Sequence, residues 1–420
     1  MKKFFLPFVL VLFAVGCSGK NSAVLWTDKP EIVIYAQLYN SSQSKYTIEV
    51  KFVESPAERL INTRISPDMV IGSYLNSTKS IDLFQNIDFL FGKNSINKNS
   101  FYPELLHLGL VKKEQRLIPI SFNLPVIIFK NSNENAMSND IISDLDELKR
   151  LGLEYNEHTN ANWARKGFSP LWGRGNDFLF TTAVLFGVDF EEAAGKNSKK
   201  DVLNWNEARL DEAIRYIKDW IDLNGGIQAE NDFIYKYFFN PSPKLLSEGR
   251  IRFAYMKSGN YFILPQNATA GLDFRWLSRG KRLPVTEDTV LFGIPKKSQS
   301  KSIAADFARW FFNESTQDLF LENSRDNHLN EIVFGIAGGF SAMRTVSEFV
   351  FPKYYHNLLG HIPPADYLVA VPAALPESWK NIKEDVILPY MLAAVNNQGA
   401  SLVLREKLNE WQALKRDRFR

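Results

Sequence analysis

Two α/β lobes joined by crossing segments are the architecture that the sequence predicts, on three observations. The chain has 420 residues, whereas one hydrophobic core serves roughly 250 to 300, so two domains are expected. Its first hundred residues alternate strand with helix. The third observation is Leu117–Phe129, LIPISFNLPVIIF. Ile118, Ile120, Val126, Ile127, Ile128 and Phe129 are the residues of a buried strand, yet Ser121 and Asn123 interrupt them, and Pro119 and Pro125 remove backbone donors. A run that leaves one sheet, crosses between two bodies and enters a second sheet accounts for both halves, with its polar residues facing whatever lies between. Two strands and a turn within one domain are the plain alternative.

The chain opens on a positive triplet, Met1 to Lys3, followed by an apolar run from Phe4 to Val15 and small residues before Cys17. This is the pattern of an export signal. The run is shorter than the ~20 residues that span a bilayer, so no permanent membrane helix is expected there. Cys17 is the only cysteine, which excludes an internal disulfide. Ser18–Ser22 is a polar tether. Val24–Trp26 then reads as a strand, Thr27–Pro30 as a turn, Ile32–Tyr39 as a helix, and Tyr46–Val53 as a strand with Ile48, Val50 and Phe52 on one face. Met69–Gly72 is the short apolar run of a buried parallel strand. After the crossing, Ser143 and Asp146 form a capping box for a helix that Gly152 closes. Glu207–Asn224 carries an apolar stripe through Leu210, Ala213, Ile214, Ile217 and Ile221 and stops at Gly225–Gly226. Ile251–Met256 and Val290–Ile294 read as strands, and another helix starts at Ser302. Four prolines make Ile362–Pro376 irregular, and Trp379–Asn396 is helical with a kink or break at Pro389.

Charge gives no footprint for nucleic acid. The formal +3 includes Lys2 and Lys3, so the exported chain carries about +1 by subtraction, without the basic surplus that nucleic acid requires. Five histidines without HExxH argue against a zinc enzyme. GKNS at Gly92 and at Gly195 lacks the upstream glycine and the hydroxyl directly after lysine that a phosphate loop needs. GGFSA at Gly338–Ala342 lacks the last glycine of a nucleophile elbow. No metal, no cofactor and no catalytic residue are therefore expected.

Aromatic residues are the positive signal, at 13% of the chain. Most belong in cores, but Tyr74, Trp172, Tyr261, Phe340 and Trp379 sit beside glycine, asparagine, serine or proline in stretches without periodicity. Flat rings beside amide and hydroxyl groups suit a sugar, whose C–H face stacks while its hydroxyls bond.

The order of motifs resembles a family. AVGC at Ala14–Cys17 is similar to the lipobox of bacterial lipoproteins, and WTDKPE, QLYN, PDMVIGSYLN, PISFNLPVIIFKN, NWNEARLDEAIRYIKDWI, AYMKSGNYF and FGIPKKSQ follow in the order of family 1 extracellular solute-binding proteins, the maltose-binding-like receptors of ABC importers. The resemblance implies a type II periplasmic-binding-protein fold, with residues 24–122 and 275–336 as one lobe, 123–274 and 337–420 as the other, after a signal peptide at 1–16 and a tether at 17–23. It implies a monomer, lipid-anchored at Cys17, that binds a carbohydrate between the lobes, closes by hinge motion and delivers to a permease. Asp28 and Lys29 stand at the first ligand loop, Ser73 and Tyr74 after the PD strand, Asn123 at the crossing, Trp172 and Asn176 in a second-lobe loop, Tyr261 after KSGN, and Phe340 and Trp379 late in the chain. Asn123 replaces an acid of maltose-binding protein, which speaks against maltose. Three other readings stand beside this one. A non-sugar solute, phosphorylated or peptidic, would show cations such as Lys29 with Lys257 or Arg174 aimed into the cleft; an adhesion or signalling lipoprotein would have a plugged cleft; a glycan hydrolase would have two cleft carboxylates at catalytic separation.

Overall fold

A computed structural model describes residues 21–418, except 93–94, 140, 160–161, 174–176, 193–202, 371–374 and 397–402. The ten strands of its two main sheets are β1 (Ser22–Thr27), β2 (Thr47–Phe52), β3 (Met69–Ser73), β4 (Leu117–Phe122), β5 (Pro125–Lys130), β6 (Ile142–Asp144), β7 (Phe253–Lys257), β8 (Leu272–Ser278), β9 (Val290–Gly293) and β10 (Phe340–Ser341). The first sheet runs β10-β4-β9-β3-β1-β2 and the second β7-β5-β8-β6. β1 pairs parallel with β2 and with β3, and β9 inserts antiparallel between β3 and β4.

The crossing behaves as the sequence implies. β4 belongs to the six-stranded sheet, β5 to the four-stranded one, and only Asn123 and Leu124 separate them. Each half is fully buried, β4 in all six residues and β5 in its first five, because each strand is central in its own sheet and packs on both faces. Pro119 is tolerated in β4 beside a register shift of β9 between Val290 and Leu291. The second crossing is the segment between β8 and β9.

The lobe boundaries need two corrections. β8 lies wholly in the second sheet, so a division at 274/275 would cut one strand in half. Phe340 and Ser341 pair with Phe122 and Ser121, which places the start of the 337–420 segment in the first lobe. The chain is back in the second lobe by Leu375 and Trp379, which join its core, and Leu388–Val395 then packs on the helix Glu207–Leu223.

Local chemistry explains other differences. The helix after β6 runs Leu145–Tyr155, capped by the Asp144 carboxylate that accepts the Asp146 N–H. Gly152 does not end it. That glycine faces Gly167, where an added Cβ would lie 1.9 Å from the Gly152 carbonyl oxygen, so the pair exists for close packing. The break expected at Pro389 is taken up one turn earlier: a π-helical turn at Lys383–Ile387 links the α-helical pieces Trp379–Ile382 and Leu388–Val395. The signal segment, Cys17 and most of the tether lie outside the described residues.

Candidate functional site

Strand order locates the site. The chain passes from β1 to β2 on one side and then to β3 on the other, so the order reverses between β1 and β3, and ligands of open α/β sheets sit beyond the carboxyl ends of strands at such a point. Asp28 and Lys29 follow β1, and Ser73 ends β3 with Tyr74 next. All four line one cleft of about 490 Å³, together with Asp288 ahead of β9 and with Glu377, Trp379, Lys380 and Asn381 from the C-terminal segment. A second cavity of about 480 Å³ shares Tyr74, Asp288 and Lys380 and adds Asp177, Lys257, Glu287, Lys383 and Glu384. Both lobes contribute to both spaces, and Tyr74 stands between them.

Tyr74 holds a left-handed backbone, φ 62°, a conformation that a bulky residue avoids. The turn aims its ring into the space. Burial, then Glu287, Asp288, Glu384 and Asp28, push its hydroxyl well above the usual phenol range, so it stays protonated and available as a donor. Beside it the Ser73 hydroxyl donates to the Asp288 carbonyl at 2.9 Å, joining the first lobe to the second crossing.

Three of the four lysines that line the two spaces are matched by carboxylates within them. Lys29 lies 3.6 Å from the Asp28 carboxylate, Lys257 3.5 Å from Asp177, and Lys383 contacts Asp177 at 3.6 Å and Glu287 more closely. Burial opposes ionisation of Asp288, but Lys257, the Thr286 hydroxyl that donates to it at 2.5 Å, Lys383 and Lys29 outweigh that penalty and hold its carboxyl below the ordinary range. Lys257 is half-buried, yet Asp288, Glu287 and Asp177 keep it firmly charged. Asp28 differs: burial dominates over Lys29 and raises its pKa, and its Oδ1 is buried without a hydrogen-bond partner.

The rim is bridged. Ser77 pairs with Leu375, the Thr78 N–H donates to the Leu375 carbonyl at 3.3 Å, the Thr78 hydroxyl meets Glu192, and Lys79 meets Glu377. These contacts tie the segment after β3 to the second lobe across the mouth of the cleft.

Of the residues singled out from sequence, Asp28, Lys29, Ser73, Tyr74 and Trp379 line this space. Trp379 forms a wall, 2% exposed, against Phe180 and Phe190. Four others do not reach it. Tyr261, 3% exposed, packs on Phe262 and Phe274, and Phe340, with no exposed surface, is surrounded by Phe122, Trp276, Phe334 and Phe351. Trp172 turns its indole N–H to the Ser242 hydroxyl at 3.0 Å and its edge to Phe233, sealing a lobe interior. Asn123 spends its side-chain amide on protein partners. Glycine and asparagine neighbours mark these rings as loop residues, but loops that fold back into a core carry the same signature. Asn176 and Arg174 lie outside the described residues. The sequence reading missed Asp288, Glu287, Asp177, Lys380, Lys383 and Glu384. TEDT at Thr286–Thr289, two acids directly ahead of an all-apolar strand, is the signal that marks the first two.

Among the described residues no group of His, Cys, Asp and Glu is placed to hold a metal, and no helix is long and apolar enough to cross a membrane. No family model matches the chain, and no curated protein matches it in sequence. Solved structures do match its fold. The sugar-binding protein MalE of Xanthomonas citri superposes with a TM-score of 0.66 at 11% identity, over 95% of this chain and 99% of that one. The cyclic α-maltosyl-1,6-maltose binding protein of Arthrobacter globiformis gives 0.61 at 15% identity, over 93% and 97%. CpMnBP1, solved with mannotriose bound, gives 0.59 at 16% identity, over 94% and 99%. At such identities the likeness establishes the fold: two α/β lobes of the type II binding-protein class around a cleft.

Proposed function

We propose that this chain, built on that bilobal fold, is the substrate-binding receptor of an ABC importer and takes a neutral carbohydrate in the interlobe cleft. The observation that carries the reading is the cleft lining: charges of both signs, with Lys29, Lys257 and Lys383 already paired to carboxylates, around the donor and flat face of Tyr74. A neutral polyhydroxy ligand brings adjacent donors and acceptors, so each hydroxyl finds a partner among fixed charges without importing net charge. Asp28, Lys29, Ser73, Tyr74, Asp288 and Lys380 are its direct contacts, with Trp379 as a wall. Lys29 and Lys257, the cations that would have signalled a phosphorylated ligand, are each held by a carboxylate. The similar folds solved as sugar-binding proteins support the same choice.

The receptor performs no reaction. Ligand biases the lobes toward closure by its differential affinity for the closed form, and the closed form is what the permease recognises. Export by the N-terminal signal, with acyl chains on Cys17, keeps the monomer at the membrane, since durable anchoring takes more than one chain.

Thermal-shift measurements on the full-length protein against neutral oligosaccharides, phosphorylated sugars and short peptides test the reading. A ligand at 100 times its Kd stabilises by ~2.7 kcal/mol, and the hits are expected among neutral sugars. Stabilisation only by phosphates or peptides, or release of shorter products from an oligosaccharide, would replace the proposal with a different class.

A further inference from the structure

Asn123 lies on the first crossing between the lobes and bonds to the second crossing and to a segment of each lobe. Its Nδ2 donates to the Gly338 carbonyl at 2.9 Å, in the segment that leads into β10 of the first lobe. Its Oδ1 accepts the Ser258 hydroxyl at 2.7 Å, from the residue that follows β7 of the second lobe. Its own carbonyl accepts the Thr286 N–H at 2.9 Å, from the second crossing. Ser258 closes the knot from the other side, since its hydroxyl accepts the Leu124 N–H at 3.0 Å and its N–H donates to the Leu124 carbonyl at 2.8 Å. The surroundings leave no slack: a Cβ on Gly259 would lie 2.9 Å from Asn123 Oδ1 and 3.1 Å from the Gly338 oxygen.

We infer that Asn123 is a positioning residue, the joint that fixes the angle between the lobes, and that it acts on binding through that angle without touching ligand. The chemistry singles out an amide. One face must donate to a carbonyl and the other must accept a hydroxyl, and Asn offers both on a side chain short enough to stay within the knot. Aspartate is isosteric but would set a carboxylate oxygen against the Gly338 carbonyl, two acceptors face to face with no proton between them. The inference depends on the bilobal architecture alone and holds whatever the cleft binds.

The readout is the distance between lobes in the absence of ligand. Cys17 is the only native cysteine, so the full-length chain with Cys17→Ser accepts spin labels at Glu49→Cys on β2 and Glu212→Cys on the helix Glu207–Leu223, both exposed. Pulsed electron resonance should give one narrow distance distribution. Asn123→Asp and Asn123→Ala should at least double its width, and Ser258→Ala, a milder change that keeps the backbone bonds, should broaden it in the same direction. Gly259→Ala should displace the mean. Native width in Asn123→Asp and in Ser258→Ala would overturn the inference, and the Ser258 variant decides the matter should the Asn123 variants fail to fold. A sugar-binding result of either sign leaves this experiment unaffected.

Discussion

Tyr74 and Tyr261 look alike in the sequence, each a tyrosine after serine or asparagine near a glycine, and the structure gives them opposite duties. Tyr74→Ala should lower ligand affinity tenfold or more, equivalent to about 1.4 kcal/mol, with a small change in folding stability. Tyr261→Ala should destabilise by about 3–5 kcal/mol, as truncation of a buried aromatic does, and leave the affinity of the folded protein intact. Chemical denaturation paired with titration calorimetry separates the two. Asp28 offers a second test. Its carboxyl is raised by burial, so its contribution to stability is present below the unfolded pKa and is lost as pH rises through the folded one. Asp28→Asn should therefore stabilise by about 1 kcal/mol at pH 7 and by less at pH 4, while weakening binding; a loss of stability at pH 7 would show the charge is well served. The sequence exposed the loops that bear Asp28, Ser73 and Tyr74, because those loops follow readable strands. It left Asp288 hidden, because that residue's importance comes from lysines 31 and 95 positions away in the chain, Lys257 and Lys383.

At the level of the element, periodicity was a sound guide wherever a stripe or a run faced one core. The helix Glu207–Leu223 buries every residue of the stripe read from sequence and adds Trp220, and β4 and β5 divide at Asn123 because they pair in different sheets, Val126 and Ile128 of β5 sharing the apolar cluster of β4 while Ile127 and Phe129 join the other. Element ends were less readable. Gly152 mimics a C-cap while letting the backbone at Gly167 approach the helix closely, and the turn around Pro389 borrows a π-helical turn that no local rule announces. The loop leading to Trp172 is held by a third kind of element, a buried ion pair: Glu230, on the helix Gly226–Tyr237, meets Lys166 and the Ser169 hydroxyl and accepts the Leu171 N–H at 3.2 Å. Neither charged side chain has exposed surface. Glu230→Ala should cost about 3–5 kcal/mol, since it takes the carboxylate away from a buried ammonium, measurable as a fall in the denaturant midpoint without a change of slope.

Across the whole molecule the rim contacts between Thr78, Lys79, Leu375 and Glu377 act as a clasp. Exposed pairs are worth about 0–1 kcal/mol, so Lys79→Glu should raise the ligand dissociation rate by no more than about fivefold, and the exchange Lys79→Glu with Glu377→Lys should restore it in stopped-flow measurements; an unchanged rate in the single variant would mean the clasp carries no weight. The place of β9 has a consequence for how the polypeptide comes into being. A ribosome must translate past residue 293 before the strand that separates β3 from β4 exists, so the three parallel strands stay unjoined to β4 until about 70% of the chain has been made. A version stopped after Thr286 should be digested by protease throughout residues 22–122, whereas survival of that region would show it mature early.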